Sequence, residues 1–403
     1  MTYIKQIKQL LFLSLFLLMA CEGGSKNTEV YTLVVSLDGF RWDYPTLYQT
    51  PYLDQMAKQG VSAVVYPAYP SSTFPNHYAM ATGLSPDHNG LVNNTFWDAK
   101  LGKTYAISND NTRYDPQFYL GEPIWITAQR QGKRTANLYW VGSDVAIKNS
   151  YPTEYKHWGD KPRLDFEQRV DQAISWLERP KESRPHLIML YIDQPDGVGH
   201  RYGPKSKETE AKVKELDKLV GYLMNRISSL ADSEQINLIV TSDHGMTEIS
   251  TDRVVKMSDY IEEEWLERAV GSTPTSLFTK PQHREKVYSV LKNVDHLTVW
   301  RKEEVPPELI YGTSHRIGDI VVAPDLGWQF TDHPRDQKGA HGYLPSEKDM
   351  QVIFRAYGPS FKENYIHTHF HNVDLYSLLA QILGIEPVET DGIKERILPL
   401  LCE

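Results

Sequence analysis

Cysteine is almost missing from this sequence: of 403 residues, only two are cysteines, Cys21 and Cys402. A scaffold stapled by disulfides is thereby excluded. Also missing is any block rich in lysine or arginine, and 43 Lys and Arg stand against 52 Asp and Glu for a formal charge of −9. That balance argues against sequence-specific nucleic-acid binding. No internal repeat and no low-complexity segment occurs, so a repeat array or a long disordered tract is not expected. The one long apolar run, Leu10 to Ala20, is too short for a comfortable membrane span.

That run follows Lys5 and Lys8 and ends in Leu18-Met19-Ala20-Cys21. A basic start and a short apolar stretch describe a secretion signal. Small and apolar residues directly before a cysteine resemble a bacterial lipobox, so cleavage before Cys21 and lipid attachment to it are expected. The protein would then be an exported lipoprotein on the periplasmic face or cell surface, with residues 1–20 as signal peptide and 21–29 as a short tether. Loss of residues 1–20 removes two lysines and no acids, taking the charge from −9 to −11. An excess of carboxylates of this size suits a protein that neutralises several of them with bound metal.

The length suffices for a large core. Tyr31–Leu37, Pro185–Ile192 and Ile236–Thr241 are near-continuous apolar runs of the kind found in buried parallel strands. Each ends in acid: Asp38, Asp193 to Asp196, and Asp243. Open α/β sheets place their ligands at such strand ends. Helical patterns over Pro51–Gln59, with Thr50 as cap, and over Asp165–Glu178 and Lys205–Leu230 alternate with these runs, which makes the class α/β. Residues 97–119 and 149–162 read as loops, 251–337 as a subdomain or insertion with one strand at 320–323, and 30–403 as one catalytic unit.

Tyr69-Pro70-Ser71-Ser72-Thr73-Phe74-Pro75-Asn76-His77-Tyr78 reads as strand end, tight loop and helix start, with Gly83 as the stop. It puts the Thr73 hydroxyl at a positive helix end, suited to hold a phosphate. Four other segments offer metal-type ligands: Asp38; Asp196 with His200; Asp243 with His244; and His341. Three carboxylates and three imidazoles make two mixed N/O sites, which suit zinc better than magnesium or calcium. Pro195, Gly197 and Gly199 argue against a helix there, so Asp196 and His200 are expected to meet in a tight loop. A threonine hydroxyl is un-ionised at neutral pH. Two zinc ions about 4 Å apart are a known device for activating such a nucleophile and steadying the leaving oxygen in phosphoryl transfer.

Val35–Arg41, Thr73–Tyr78 with Ala81-Thr82-Gly83, Pro195–His200, Ser242–Met246 and His341-Gly342-Tyr343 together resemble the nucleotide pyrophosphatase/phosphodiesterase family of the alkaline phosphatase superfamily. The resemblance spans Val35 to Phe361. It implies an alkaline-phosphatase-like, doubly wound, mostly parallel sheet with helices on both faces. It also implies two Zn2+ per chain, one held by Asp38, Thr73, Asp243 and His244, the other by Asp196, His200 and His341. Asn94 would stabilise phosphate charge with the Thr73 N–H, and Phe74, Tyr191 and Trp158 would lie against a nucleotide base. The reaction implied is hydrolysis of phosphodiester or pyrophosphate bonds through a phospho-threonine intermediate.

This chain departs from the family pattern at Asn89, Asn93, Asp193 and Leu344-Pro345, none of which removes a ligand or the nucleophile. A choline-phosphate or lysophospholipid diesterase and a phosphomonoesterase are alternatives on the same fold. A non-catalytic surface binding module is the alternative of another class. Monoesterases add positive side chains for the extra phosphate charge. No Lys or Arg is evident beside Asn94, which favours diesters.

Overall fold

The computed structural model describes residues 29–402. The expected signal peptide, Cys21 and the tether up to residue 28 lie outside the described residues. No helix among the described residues is long and apolar enough to cross a membrane.

Tyr31–Leu37 is buried at all seven positions, as its lack of polar alternation demands. It is β1 of an eight-stranded sheet that continues with β2 (Val61–Tyr66), β3 (Thr135–Leu138), β4 (Glu154–Lys156), β5 (Leu187–Ile192), β6 (Ile236–Thr241), β7 (Val352–Tyr357) and β8 (Tyr365–His371). The spatial order is β8-β2-β7-β6-β1-β5-β3-β4. Every neighbouring pair is parallel except the two made by β7. In register, Leu37 lies opposite Ile192 and Ser36 opposite Thr241. The carboxyl ends of β5, β1 and β6 are therefore level, and the segments leaving these three strands gather on one edge of the sheet.

Six helices matter for the site: α1 (Pro51–Gln59), α2 (Thr73–Thr82), α3 (Phe166–Leu177), α4 (Asp196–Tyr202), α5 (Lys207–Ser228) and α6 (Asp374–Leu383). Leu33 and Val35 of β1 pack with Leu53 of α1, Ile174 of α3 and Leu216 of α5. Val34, between them, packs with Met80 of α2 and Leu379 of α6. Both faces are covered, as in a doubly wound sheet. Asp165 caps α3 through a reciprocal bond pair with Gln168. Thr50 precedes α1, but its side chain makes no capping bond.

Several expectations are corrected. Asp196 and His200 do not meet in a tight loop: they stand one turn apart on α4. Two glycines cost a helix of seven residues only about 1 kcal/mol each, and Gly199 answers a packing need. A Cβ on Gly199 would lie 3.2 Å from Met246 Cγ, and one on Gly339 would lie 2.4 Å from the Gly199 carbonyl oxygen.

Residues 97–119 are not all loop, because Thr95–Asp98 and Lys103–Ala106 pair as a hairpin. The loop at 149–162 contains β4. The strand β8 was not expected, since its His367, Thr368 and His369 give this sheet edge no apolar pattern. Residues 251–337 contain six strands rather than one, and four of them share a sheet. Leu266–Val270, Thr275–Thr279, Leu297–Arg301 and Ile320–Pro324 form an antiparallel sheet with its own core around Leu277, Val287, Leu291 and Val322.

Candidate active site at the carboxyl edge of the main sheet

β2 leads into the loop 67–72, where the Asn76 side chain ties the turn by donating to Pro70 O at 2.8 Å and Ser72 O at 2.9 Å. Ser72 takes the N-cap position and Thr73 opens α2, which Gly83 ends in the left-handed conformation at φ 68°. The Thr73 hydroxyl lies 3.0 Å from His244 Nε2. First-turn N–H groups have no intrahelical acceptor, and that of Phe74 is taken by Asn94 Oδ1 at 3.0 Å. This leaves the Asn94 amide nitrogen free to donate, and Asn94 lines the same cavity as Thr73.

Two groups of metal-type side chains stand beside Thr73: Asp38 with Asp243 and His244, and Asp196 with His200 and His341. The first group is buried, whereas the second is half-exposed. His244 Nε2 lies 3.3 Å from Asp38 Oδ1 and 3.2 Å from Asp243 Oδ2. Asp196 Oδ1 lies 3.3 Å from His200 Nε2 and 3.7 Å from His341 Nε2. The groups adjoin through the stacked rings of His244 and His341, 3.7 Å between centroids.

Three observations test whether these residues suit cations. Asp38 Oδ1, Asp196 Oδ1 and Asp243 Oδ2 are buried without a hydrogen-bond partner, which a structure tolerates only for a reason such as an ion. Each imidazole sets its Nδ1 against a backbone carbonyl: His200 on Gly339 at 2.8 Å, His244 on Gly245 at 2.7 Å and His341 on Ser71 at 3.0 Å. A carbonyl can only accept, so Nδ1 carries the proton and Nε2 presents a lone pair to the cluster. Finally, burial and the charges of Asp243 and Asp196 push the Asp38 carboxyl well up. The clustered negative charge lacks a counter-charge, and the donor set fits metal.

Two cavities open beside Thr73. One, about 220 Å³, has Phe74, Tyr139, Trp158 and Tyr191 among its walls. Tyr191 also donates its hydroxyl to Asp38 Oδ2 at 2.5 Å, a second contact that the sequence did not suggest. Trp158 carries the Arg163 guanidinium 4.1 Å from its ring centroid and is anchored by its backbone N–H to Asp144 Oδ2 at 3.0 Å. The other cavity, about 460 Å³, brings Asn93, Asn94 and Thr73 together with Ser272, Thr273 and Arg335. Arg335, from a segment 241 positions further along the chain (335 minus 94), lines the same cavity as Asn94, a cation that the sequence near Asn94 does not show. Of the departures, Asp193 pairs with Arg169 at 2.9 Å, and Asn89 braces its turn by donating to Leu84 O at 2.9 Å.

His77 belongs to the site without having been expected there. It is buried one turn beyond Thr73, 2.9 Å from Ser36 Oγ, 3.0 Å from Thr73 O and 3.2 Å from Asp243 Oδ2. Its spacing of four from Thr73 on one helix face was the available signal.

Similarity to known proteins agrees with this geometry. The family model described as type I phosphodiesterase / nucleotide pyrophosphatase matches residues 32–344. The chain is 36% identical over 396 residues to a bis(5'-adenosyl)-triphosphatase of Bos taurus, covering 95% of this chain and 85% of that one. It is 32% identical over 390 residues to ectonucleotide pyrophosphatase/phosphodiesterase family member 1 of Homo sapiens, of which it spans 42%. Among solved structures it resembles murine ectonucleotide pyrophosphatase/phosphodiesterase 5, in an inactive threonine-to-alanine form in complex with AMP. The TM-score is 0.87 at 34% identity, over 93% of this chain and 100% of that one.

Proposed function

The chain belongs to the type I phosphodiesterase / nucleotide pyrophosphatase family and is a hydrolase of phosphodiester bonds; from that premise we propose that it acts on nucleotides through Thr73 and two zinc ions. The observation that carries this reading is the pair of three-residue clusters adjoining one threonine hydroxyl, with three carboxylate oxygens left without partners. Asp38, Asp243, His244 and Thr73 would hold one ion, and Asp196, His200 and His341 the other. When bound, such ions lower the pKa of an adjacent hydroxyl and neutralise charge on phosphoryl oxygens.

The chain's own groups do the rest. Thr73 Oγ1 attacks phosphorus, the bond to the departing oxygen breaks, and a phospho-threonine forms. Water then opens that ester and restores the hydroxyl. Asn94, oriented by the Phe74 N–H, donates to the phosphoryl oxygen. Phe74 and Trp158 stack against the base, as does the Tyr191 ring, whose hydroxyl also orients Asp38. The murine relative's complex with AMP and the bovine relative's name support a nucleotide substrate.

Residues 30–403 form one catalytic unit in this reading, with 251–337 as an inserted subdomain. Residues 1–20 are a cleaved signal, and a lipid on Cys21 ties the exported protein to a membrane. Loss of lipid labelling in Cys21→Ser checks that part.

A p-nitrophenyl nucleotide ester assayed beside p-nitrophenyl phosphate and p-nitrophenyl phosphorylcholine tests the activity. The nucleotide ester should be the best substrate, and the purified protein should hold two zinc per chain. Fewer than two zinc, with Thr73→Ala as active as wild type, would sink this reading.

A further inference from the structure

His77 is wholly buried and takes no part in the phosphoryl chemistry described above, yet three segments of the site converge on it. Its Nδ1 lies 3.0 Å from the Thr73 carbonyl oxygen, which can only accept, so the ring proton sits on Nδ1. In the neutral ring Nε2 is then the acceptor, and the Ser36 hydroxyl donates to it at 2.9 Å. Asp243 Oδ2 lies 3.2 Å from Nδ1 but has no hydrogen bond of its own. That oxygen keeps its lone pairs for a cation.

Each partner leads to a different part of the site. Thr73 carries the hydroxyl at the start of α2, Ser36 stands near the end of β1 two residues before Asp38, and Asp243 follows β6. The ring is held in place by Trp140 and Tyr191, both nearly perpendicular to it with centroids 5.2 and 4.8 Å away. Trp140 is tied to the same helix, donating from Nε1 to the His77 carbonyl at 3.0 Å. A phenyl ring would fill this space and could make neither bond.

We propose that His77 is a positioning residue: by joining the Thr73 carbonyl to β1 through Ser36, it holds the Thr73 hydroxyl in register with Asp38, Asp243 and His244. It touches no substrate and acts through Thr73 and Asp243. This rests on the reading of Thr73 as nucleophile and of those three side chains as a metal group. Misplacing a reacting group by about 1 Å can cost about 100-fold in rate. Loss of a side chain that orients metal ligands costs about 10- to 100-fold in metal affinity or activity.

The test compares His77→Phe, which keeps a ring and loses both bonds, with His77→Asn, whose amide nitrogen falls near the place of Nδ1 and can still donate to the Thr73 carbonyl. Ser36→Ala removes the second bond alone and leaves the imidazole. Three measurements separate alignment from packing: kcat and KM on the p-nitrophenyl ester of thymidine 5'-monophosphate, the melting temperature, and the zinc retained per chain across a chelator titration. His77→Phe should lower kcat on the order of 10- to 100-fold and leave KM little changed. It should also release one of the two zinc ions at a chelator concentration lower by about the same factor, with the other held as in wild type. His77→Asn should recover most of kcat, and Ser36→Ala should show a smaller loss in the same direction. A lower melting temperature with kcat and zinc retention unchanged overturns the proposal and leaves His77 as core packing. So does a His77→Asn protein no better than His77→Phe. Should His77→Phe fail to fold, Ser36→Ala decides, and wild-type kcat and zinc retention in that variant overturn the proposal. A wild type that holds fewer than two zinc, with Thr73→Ala equally active, overturns the functional reading itself and this inference with it.

Discussion

The main sheet and the antiparallel sheet of residues 266–324 reach the site by different routes. In the main sheet three parallel strands end level, and each delivers a carboxylate within four residues of its last position. Their placement is set by register, the most rigid relation a sheet has. The second sheet contributes through its connections: the turn 271–273 and the segment that carries Arg335. At Gly271, φ is 86° and a Cβ would meet Pro274 O at 2.7 Å and Asn93 Nδ2 at 3.0 Å, so only glycine lets this turn close on Asn93. The acidic side chains beside Thr73 stand on the main sheet, and the polar wall facing them comes from connections of the second sheet.

The largest test of that division is Thr73→Ala. If chemistry resides on the main sheet, kcat/KM on the nucleotide ester should fall by roughly four orders of magnitude, about 5.5 kcal/mol, with the melting temperature unmoved. A loss of less than tenfold would move the nucleophile elsewhere and break the comparison.

Next in size is the joint between the two regions. The buried Arg316 guanidinium donates to Asp98 Oδ2 at 2.7 Å, Gly90 O at 2.7 Å, Phe118 O at 2.6 Å and Gln117 O at 3.0 Å. It pins the second sheet to the hairpin that begins just after Asn94. Arg316→Ala leaves the Asp98 carboxylate buried without its main partner. It should destabilise the protein by about 3–5 kcal/mol, read by denaturant unfolding. A change under 1 kcal/mol would mean that the two regions are not mechanically joined there.

How far each region could be read beforehand obeys the same division. The strands β1, β5 and β6 were legible because unbroken apolar runs ending in acid have few other readings. The helix α4 was not, since its glycines signal a break locally and the close approach of Met246 to Gly199 exists only in the fold. The strand β8 hides behind histidines on an exposed edge. Arg335 carried no mark at all: a lone arginine six residues before His341 becomes part of the site only through the packing of the second sheet.

Asn94 lies on the segment between the two regions, and Asn94→Ala measures how much catalysis depends on that seam. Removing one oxyanion donor lowers kcat by about 10²- to 10³-fold. The expected result is such a loss in kcat with KM little changed. A change confined to KM would make Asn94 a ground-state binder instead.

The smallest effect belongs to Trp158, half-buried in the segment between β4 and α3 on the main-sheet side. Its anchor to Asp144 runs through the backbone N–H, so alanine removes the ring and keeps the loop. Stacking of a base on an aromatic ring contributes about 1–3 kcal/mol, so Trp158→Ala should raise KM for nucleotides by roughly 5- to 150-fold. If the base belongs to the arm that stays, the loss should be the same for ATP and for the p-nitrophenyl ester of a nucleotide, and the ratio of kcat/KM between the two should hold. If Trp158→Ala shifts that ratio, the two cavities do not divide the substrate between them, and the separation of the two regions fails at the point where they come closest.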